Sequence, residues 1–442
     1  MAILQEEKPA TVQGAKQAGD VRSRWQWTEP AVWTDRMLTA LEQGVKGGTW
    51  FSLIDKVCSA RNLKVSFARV KENGGSAGVD HQTIEMFEER LDQNLAQIEQ
   101  ELRAGIYQPK PVRRAWIPKP GTTERRPLGI PTVRDRVVQG ALRNVLEPIF
   151  EQDFATHSYG FRPNRGTKEA LRRVGKLLDK GYRFIVDADL KGYFDTIPHN
   201  PLMDRVRLKI ADGRVLDLIQ RFLDQKVLDG LEQWQPLTGT PQGAIISPLL
   251  SNIYLDPLDH QAEREGYEMV RYADDFVILC RTREEAQRAM AMVQKWTEEA
   301  GLVLHPTKSR IADVDKDGFD FLGFTFHKNR RWVRKKSLKK FKDTIRERTK
   351  RCNGHSLRRI IDTLNPILRG WFAYFKHAYH STFPSLDGWI RMRLRSILRQ
   401  RQGKRGRGRG RDHQVWPNAF FAAAGLFSMT TAHHAVCQSA LR

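Results

Sequence analysis

Acidic residues in an apolar, β-prone setting are the most informative feature of this sequence. Asp274 and Asp275 directly precede the apolar run Phe276–Leu279, and Asp189 closely follows the apolar run Phe184–Val186. Burying an unpaired carboxylate costs several kcal/mol, so a neutralising partner is required. A hairpin tip capped by Asp-Asp in solvent is the structural alternative, and the second acidic strand end at Asp189 argues against it.

Two acidic strand ends in one small sheet can converge on a pair of divalent cations. Mg²⁺ prefers carboxylate oxygens as ligands and also binds substrate phosphates. With two ions about 4 Å apart, one activates an attacking hydroxyl while the other stabilises a leaving pyrophosphate. Both ions neutralise charge that develops during phosphoryl transfer. The acids therefore predict a phosphoryl-transfer site.

The elements that would position these acids are short strands and amphipathic helices in irregular order, which predicts an α+β fold. Apolar periodicity predicts mainly helix over 31–105, with a loop at 73–78, then an irregular hairpin within 106–135. Ser247-Pro248 predicts a helix start with serine as N-cap. The remaining predictions are helices at 135–150, 167–179 and 284–300, and strands at 183–189, around 269–280 and at 319–326.

The positive charge is concentrated in one part of the chain. The 442 residues carry a net charge of +23, and residues 328–411 alone hold 27 Lys and Arg against 4 Asp and Glu. Arginine outnumbers lysine in this block, and its planar guanidinium suits phosphate oxygens. The block therefore predicts a polyanion-binding region, with phosphate as the anion.

Two basic helices are predicted within this block, mainly because Ile360, Leu364 and Leu368 recur at helical spacing. The Asn365-Pro366 step should kink or end the first helix. The run KRGRGRGR at 404–411 is interpreted as a flexible tether. The predicted nucleic-acid contacts are Arg334, Lys335, Lys336, Arg391, Arg395, Arg405 and Arg407.

Several classes of protein are excluded by composition. No apolar run approaches the ~18 residues of a membrane span, and the N-terminus lacks the pattern of a secretory signal. The four cysteines are scattered without a CxxC pair, which indicates free thiols rather than a zinc site. We therefore expect a cytoplasmic protein that has no membrane partner.

A set of motifs in fixed order resembles the group II intron-encoded reverse transcriptase/maturase family. The motifs are SAGVD (76–80), RRPLGIPTVRDRVVQ (125–139), SYGFRPNRG (158–166), DADLKGYFD, TPQGAIISPLLSNIYLD, YADD, GLVLHPTKS, FDFLGF and NPILRGWFAYF. The resemblance implies a right-hand polymerase fold with an antiparallel palm sheet and an α-helical thumb/maturase domain. The implied divisions are an N-terminal extension at 1–34, fingers at 35–180, palm at 181–328, and thumb, maturase and tail at 329–442.

The resemblance also implies roles for individual residues. Asp189, Asp274 and Asp275 would be the catalytic acids and would bind two Mg²⁺ ions, or Mn²⁺, with the backbone carbonyl of Leu190 as an extra ligand. Asp187 and Asp195 match no metal-binding position and are interpreted as a strand-edge acid and a turn residue. The implied nucleotide-binding residues are Lys119 and Arg126 at the triphosphate, Phe194 as a steric gate, Gln242 beside the incoming nucleotide and Lys308 near the pyrophosphate.

The expected activity is RNA-directed DNA polymerisation, with intron RNA, a DNA primer or target, and dNTPs as partners. The C-terminal residues 416–442 resemble the endonuclease-lacking class, similar to group IIC, in which primers come from nicks or replication forks. Three alternatives remain: a splicing maturase with a vestigial polymerase site, a standalone retron or phage-defence reverse transcriptase, and an RNA-dependent RNA polymerase. Phe194 argues against the last because its ring should exclude ribonucleotides.

Overall fold

The structure is a computed structural model, and the residues described are 18–45, 47–118, 125–328, 330–352 and 354–440. Lys119, one of the predicted nucleotide-binding residues, lies outside these ranges. Within them, no helix combines the length and the apolar character needed to cross a bilayer.

The N-terminal part of the chain is mainly helical around one β-hairpin. Its elements are α1 (Ala18–Arg24), α2 (Asp35–Gln43), α3 (Ile54–Val57), α4 (Ala60–Asn73), α5 (Ile84–Glu88), α6 (Leu91–Ala104), β1 (Val112–Pro118), β2 (Arg125–Ile130), α7 (Val133–Glu151) and α8 (Thr167–Asp179). The predicted helices at 135–150 and 167–179 are confirmed. The predicted hairpin is present but regular, because β1 and β2 pair in antiparallel register from Arg113↔Ile130 to Pro118↔Arg125.

The central part of the chain alternates strands with helices. Its elements are β3 (Phe184–Asp189), α9 (Tyr193–Thr196), α10 (His199–Arg207), α11 (Gly213–Leu223), β4 (Val227–Asp229), β5 (Glu232–Trp234), α12 (Ser247–Arg264), β6 (Glu268–Tyr272), β7 (Asp275–Cys280) and α13 (Arg283–Glu299). The helix predicted at 284–300 and the strand predicted at 183–189 are confirmed. Ser247 is the first helical residue of α12 rather than its N-cap, and its hydroxyl donates to the Pro241 carbonyl at 2.9 Å.

The C-terminal part begins with short strands and ends in helices. Its elements are β8 (Arg310–Asp313), β9 (Phe319–Phe321), β10 (Phe324–His327), β11 (Arg330–Val333), α14 (Lys335–Arg348), α15 (Leu357–Phe375), α16 (Thr382–Arg401), α17 (Asp412–Val415), α18 (Asn418–Ala423) and α19 (Met429–Ala440). We call residues 335–440 the C-terminal helical region. Antiparallel sheets with helices grouped around them confirm the α+β class.

Three sheets organise these strands. β2-β1-β4-β5 form one sheet, in which β1 and β4 are parallel, and β11-β10-β9 form a second, antiparallel sheet. The third sheet, which we call the acidic sheet, has the order β6-β7-β3-β8 and is antiparallel throughout. Its central strands carry Asp189 and Asp275 at their ends.

The two faces of the acidic sheet pack against different hydrophobic cores. Val186 and Ala188 of β3 belong to a core shared with α7, α12 and α13. Ile185, which points the other way, belongs to a second core shared with α8, β9, β10 and the C-terminal helical region. Because side chains alternate along a strand, Asp187 and Asp189 lie on the same side as Ile185, the side that faces the second core.

Two predictions for the C-terminal helical region differ from the structure. Of the two outcomes predicted for the Asn365-Pro366 step, a kink or a helix end, the helix end does not occur, because α15 continues through Pro366. The arginine-glycine run at 404–411 is not a free tether, because the Gly408 amide donates to Ser396 Oγ at 3.1 Å and the run packs on α16. A Cβ at position 408 would lie 2.6 Å from the Cβ of Arg395, so glycine permits this close packing.

Candidate active site

The acidic sheet brings Asp189 and Asp275 opposite each other. Their Cα atoms are register partners between β3 and β7. The Asp189 backbone carbonyl accepts from the His305 amide at 2.7 Å, on the side of β3 away from β7. The pair with Asp275 is therefore a non-hydrogen-bonded one, in which Cα atoms are about 4.5 Å apart and side chains approach closely. Two acids separated by more than eighty residues in the sequence thus share one face of the sheet.

Asp274 joins them from the turn between β6 and β7. Tyr272 and Asp275 are paired, which leaves Ala273 and Asp274 as a two-residue hairpin loop. Ala273 has φ = 60°, a conformation that normally favours glycine at this position of a hairpin turn. A non-glycine residue there costs on the order of 1–2 kcal/mol, so surrounding contacts must hold the turn.

One of those contacts is a loop that lies against the turn. Residues 157–160 run beside β6, where the Tyr159 amide donates to the Arg271 carbonyl at 2.8 Å. A Cβ on Gly160 would lie 2.1 Å from the backbone nitrogen of Ala273. Glycine at 160 is therefore required for the loop to reach the turn that carries Asp274.

The second contact is the buried guanidinium of Arg271. This residue is fully buried and donates to both carboxylate oxygens of Asp259 in α12 from Nε, at 2.8 and 2.9 Å. Its other donors reach Asn252 Oδ1 at 2.9 Å and the Ala273 carbonyl at 3.0 Å. Asn252 also donates to the Gly160 carbonyl at 2.9 Å, so one network holds both the turn and the adjacent loop.

Arg271, Asp259 and Asn252 are not among the residues that the sequence motifs predicted for the site. A signal was available, because alternation along β6 places Arg271 on the same side as Met269, which lies in the core shared with α12. A charged residue at such a position requires a buried partner of opposite charge. The identity of that partner depends on how α12 packs, which periodicity does not give.

Limited hydration and mutual repulsion raise the pKa values of Asp274 and Asp275. Restricted solvation raises the pKa of Asp275 to about 7, reinforced by the negative charges of Asp187, Asp274 and Asp189. Burial likewise raises the pKa of Asp274, with a further contribution from Asp189, while Arg126 lowers it. A bound cation would offset the repulsion and the poor solvation that raise these pKa values.

Asp189 already has a cationic neighbour. Lys308 Nζ lies 3.0 Å from its Oδ2, in a pair whose side chains are 57% and 42% exposed. Among the described residues, no three acidic, histidine or cysteine side chains are arranged as a ready metal-binding group. The donor set nevertheless fits a hard divalent cation, because the paired Asp189 and Asp275 and the neighbouring turn residue Asp274 offer only oxygen ligands.

Leu190 follows Asp189 and forms an isolated antiparallel bridge with Leu304. The hydrogen bonds on either side of this bridge join His305 to Asp189 and Lys191 to Val303. Leu190 itself is thus in a non-hydrogen-bonded pair, and its carbonyl points away from Leu304, towards the β7 side. This direction is compatible with the predicted role of the carbonyl as an oxygen ligand.

Phe194 lies in α9, and Gln242 lies on the loop that precedes α12. Phe194 is half-buried in α9, and its ring packs edge-on against Phe161, with centroids 6.4 Å apart. Gln242 Nε2 donates to Asp195 Oδ2 at 3.3 Å, and the Gln242 carbonyl accepts from the Gly129 amide at 2.6 Å. The loop that contains Gln242 is therefore attached both to α9 and to β2.

Arg126 lies on β2, which borders this loop. Its charge lowers the pKa values of both Asp274 and Asp195, which are otherwise raised mainly by burial. The structure thus brings Arg126 within electrostatic range of the acids. Lys119 belongs to the segment between β1 and β2 that lies outside the described residues.

The interpretations of Asp187 and Asp195 are corrected by the structure. Asp187 is not at a sheet edge, because β3 has β7 on one side and β8 on the other. It shares the acidic face with Asp189, and burial raises its pKa to about 6. Asp195 lies within the short helix α9 rather than in a turn.

The predicted nucleic-acid contacts differ in exposure. Arg395 is buried, donating from Nε to the Trp416 carbonyl at 2.8 Å and from Nη2 to Asn418 Oδ1 at 2.9 Å, so the structure does not present it as a surface contact. Arg391 is half-buried. The remaining five are exposed: Arg334, Lys335, Lys336, Arg405 and Arg407.

Family comparisons agree with this arrangement. Residues 117–326 match the family described as reverse transcriptase (RNA-dependent DNA polymerase). Residues 338–416 match the group II intron, maturase-specific domain. The first match contains all three acids and the second contains most of the C-terminal helical region.

The similarity to individual relatives covers different shares of each relative's length. Protein YkfC of Escherichia coli is 34% identical over 71% of this chain and 87% of its own length. Group II intron-encoded protein LtrA of Lactococcus lactis is 40% identical over 44% of this chain and only 32% of its own length. An uncharacterized 91 kDa protein in the cob intron of Schizosaccharomyces pombe is 30% identical over 51% of this chain and 35% of its own length. A polymerase match followed by a maturase-specific match shows that the chain belongs to the group II intron-encoded reverse transcriptase/maturase family.

Proposed function

We propose that this chain is an RNA-directed DNA polymerase that also binds group II intron RNA, assisting splicing and mobility by target-primed cDNA synthesis. The observation that carries the proposal is the register pairing of Asp189 with Asp275 in the acidic sheet, with Asp274 in the adjoining turn and near enough for Asp189 to raise its pKa. Membership of the reverse transcriptase/maturase family supports the reaction class.

Asp189, Asp274 and Asp275, with the Leu190 carbonyl, would hold two Mg²⁺ ions. When bound, such ions supply activation of the attacking hydroxyl and neutralisation of charge on the leaving pyrophosphate. The raised pKa values of Asp274 and Asp275 support this assignment, because the surroundings of both carboxyls disfavour negative charge without a counterion. Lys308, which pairs with Asp189, supplies part of that counter-charge.

The neighbouring residues would position the nucleotide. Arg126 and Lys119 would bind the triphosphate oxygens, and Lys308 would act near the pyrophosphate, where an ammonium can donate a proton. Phe194 would lie under the sugar, where its ring would exclude a 2′-hydroxyl and so select dNTPs. Gln242, held by Asp195 and by β2, would contact the incoming nucleotide.

The exposed basic residues of the C-terminal helical region would bind nucleic acid through its phosphates. Lys335 and Lys336 begin α14, while Arg405 and Arg407 lie on the ordered arginine-glycine loop. The proposed divisions of the chain remain 35–180 for the fingers, 181–328 for the palm and 329–442 for the thumb and maturase part. They are supported by the segregation of basic residues after residue 328.

Removing one acid tests the proposal. We expect Asp274→Ala to lower primer extension on an RNA template by about a thousandfold or more, because the loss of several kcal/mol of charge stabilisation changes the rate tenfold per 1.36 kcal/mol. Affinity for RNA should be nearly unchanged, because the basic surface is separate from the acids. Extension and RNA binding are measured on the same preparation.

The matched control is Asp204→Ala, which removes a carboxylate that is 72% exposed on α10 and pairs with Arg207. It should leave extension intact. An Asp274→Ala protein that still extends primers at the wild-type rate would refute the polymerase assignment. Equal loss of RNA affinity in that variant would refute the separation of the two surfaces.

A further inference from the structure

The C-terminal helical region contains a cluster of cations gathered around one indole ring. Trp389 of α16 has Lys342 Nζ, Arg346 Cζ and Arg393 Cζ at 5.7, 5.7 and 5.5 Å from its ring centroid. We call these four residues the Trp389 cluster. Cations at such distances are attracted to the ring's electron-rich face, which holds flexible side chains close together despite their mutual repulsion.

Arg393 is fixed within the cluster by the end of a helix. Its Nε donates to Thr349 Oγ1 at 2.6 Å, and a terminal nitrogen donates to the Thr349 carbonyl at 2.9 Å. Thr349 is the C-cap of α14, where backbone carbonyls lack helical partners and favour a positive charge. The orientation of this guanidinium is therefore set before any ligand arrives.

The ordered arginine-glycine loop supplies the opposite wall. Arg407 lines a cavity of about 180 Å³ together with Arg346, Arg351, Trp389 and Arg393. A second, more open groove runs along Gly406–Arg409 and shares Arg351, Met392 and Arg407 with the first cavity. Because Gly408 is pinned to Ser396 and closely packed on α16, the neighbouring Arg407 is held at the rim of the cavity.

Positive charge in this cavity exceeds what the nearby acids neutralise. Asp343 pairs with Arg346 at 2.5 Å, and none of the residues that line the cavity is acidic. Burial lowers the pKa of Arg393, and the charges of Arg346 and Arg351 lower it further. Like charges held together in this way create a local potential that attracts anions.

We propose that the Trp389 cluster and Arg407 form a binding site for backbone phosphates of an RNA strand. This inference rests on the proposed RNA-binding function and assigns it to a specific cavity. Arginine donors suit the planar arrangement of phosphate oxygens, and the groove along Gly406–Arg409 gives the strand a path beyond the cavity. The indole ring acts as an organiser of the cations rather than as a charged contact.

Substitutions at Trp389 test this role without changing the charge of the protein. The measurement is the slope of log affinity for a short RNA hairpin against log salt concentration. Each phosphate contact contributes about 0.9 to that slope in a duplex, so losing one contact weakens binding about eightfold near 0.1 M salt. We expect Trp389→Leu to reduce the magnitude of the slope by at least the value of one phosphate contact. Trp389→Phe keeps an aromatic face and should retain most of the wild-type slope.

Arg407→Gln provides a second, exposed test that does not disturb the core. It should reduce the magnitude of the slope by the value of one phosphate contact. Arg358→Gln, which removes an 85% exposed arginine outside the cavity, should change the slope less. A wild-type slope in both Trp389→Leu and Arg407→Gln would overturn the proposal. Equal flattening in Arg358→Gln would show that only total charge matters.

Two further measurements distinguish an RNA-backbone site from a site for a free anion and from the polymerase site. Inorganic phosphate at millimolar concentration should compete weakly with the hairpin; competition that removes all binding would assign the cavity to a free anion instead. Primer extension by the wild-type protein on a homopolymer template tests the polymerase site independently of the salt slopes. If the wild-type protein extends no primer, the polymerase proposal is refuted. The salt slopes still test the phosphate site independently.

Discussion

The acidic sheet and the C-terminal helical region use arginine in opposite ways. In the acidic sheet, Arg271 is fully buried, and its donors are engaged by Asp259, Asn252 and Ala273. In the C-terminal helical region, Arg405 and Arg407 are exposed on a loop that is ordered through its backbone and glycines. The first arrangement fixes the position of acids, and the second presents charge to a partner.

This difference shows that composition alone does not assign a function to a basic residue. Arg395 lies within the most basic part of the sequence, yet it is buried and holds the chain at Trp416 and Asn418. It resembles Arg271 in its surroundings more than it resembles Arg405, which is ten residues away. Burial and hydrogen-bond partners therefore distinguish positioning arginines from contact arginines.

The largest expected effect is on stability, at Arg271. Replacing it with methionine leaves the Asp259 carboxylate buried without a partner, which costs about 3–5 kcal/mol of the free energy of unfolding. Denaturant unfolding measures this loss. The matched control is Arg207→Met, which breaks an exposed pair with Asp204 that is worth about 1 kcal/mol or less.

The conservative variant Arg271→Lys separates positioning from stability. Lysine keeps the charge but cannot donate in the same fork to Asp259 and Asn252 while reaching Ala273. We expect the rate of primer extension to fall while the Michaelis constant for dNTP changes little, because the turn that carries Asp274 loses its support. Wild-type kinetics in this variant would show that the network serves folding alone.

Sequence patterns predicted the local elements of the site but not the contacts that hold it. The strand predicted at 183–189 is correct because a short apolar run is a local property of the sequence. The approach of Asp189 to Asp275 also followed from two acidic strand ends in one sheet. By contrast, the network of Arg271 joins α12, the turn and Gly160, and such long-range contacts depend on packing that leaves no periodic signal.

The two departures from expectation in the C-terminal helical region have a related cause. Proline at 366 and glycines at 406 and 408 disfavour regular structure locally, which led to the predictions of a kink or a helix end and of a flexible tether. In the structure, Ile361 and Leu368 of α15, on either side of Pro366, pack into the second core, and Gly408 packs on α16. Tertiary packing outweighs local propensity at both positions.

Within the acidic region, Phe194 should behave as a contact residue and not as a positioning one. We expect Phe194→Ala to reduce discrimination against ribonucleotides by at least about tenfold, the lower end of what a steric difference in a pocket provides. Competition between dNTP and rNTP in primer extension measures it. Phe420→Ala, at a ring that is 38% exposed on α18, is the control and should leave discrimination unchanged.

Unchanged selectivity in Phe194→Ala would assign the ring to packing against Phe161 and Tyr193 instead. In that case the free energy of unfolding should fall by an amount typical of a truncated aromatic, about 3 kcal/mol. The two readouts therefore place Phe194 in one of the two classes that the arginines define.

The smallest expected effect compares two arginines of the basic block directly. Arg405→Gln should flatten the salt dependence of RNA affinity by about 0.9, or about eightfold in affinity near 0.1 M salt, with unchanged unfolding. Arg395→Gln should leave that slope unchanged and lower the free energy of unfolding by about 1–3 kcal/mol, because the Trp416 carbonyl and Asn418 lose a buried donor. RNA titrations give the salt slope of each variant, and denaturant unfolding gives the free energy of unfolding of each variant.

Opposite patterns in the two variants would establish that neighbouring arginines in one basic block divide into contact and positioning residues. Equal flattening of the slope by both substitutions would contradict this division, because a buried guanidinium that donates to Trp416 and Asn418 in the interior is not accessible to an RNA phosphate. Such a result would require α16 to expose Arg395 when RNA binds. Protection of the Trp416 amide, which donates to the Asp412 carbonyl, from hydrogen exchange should then fall on RNA binding, whereas the structure predicts that it stays constant.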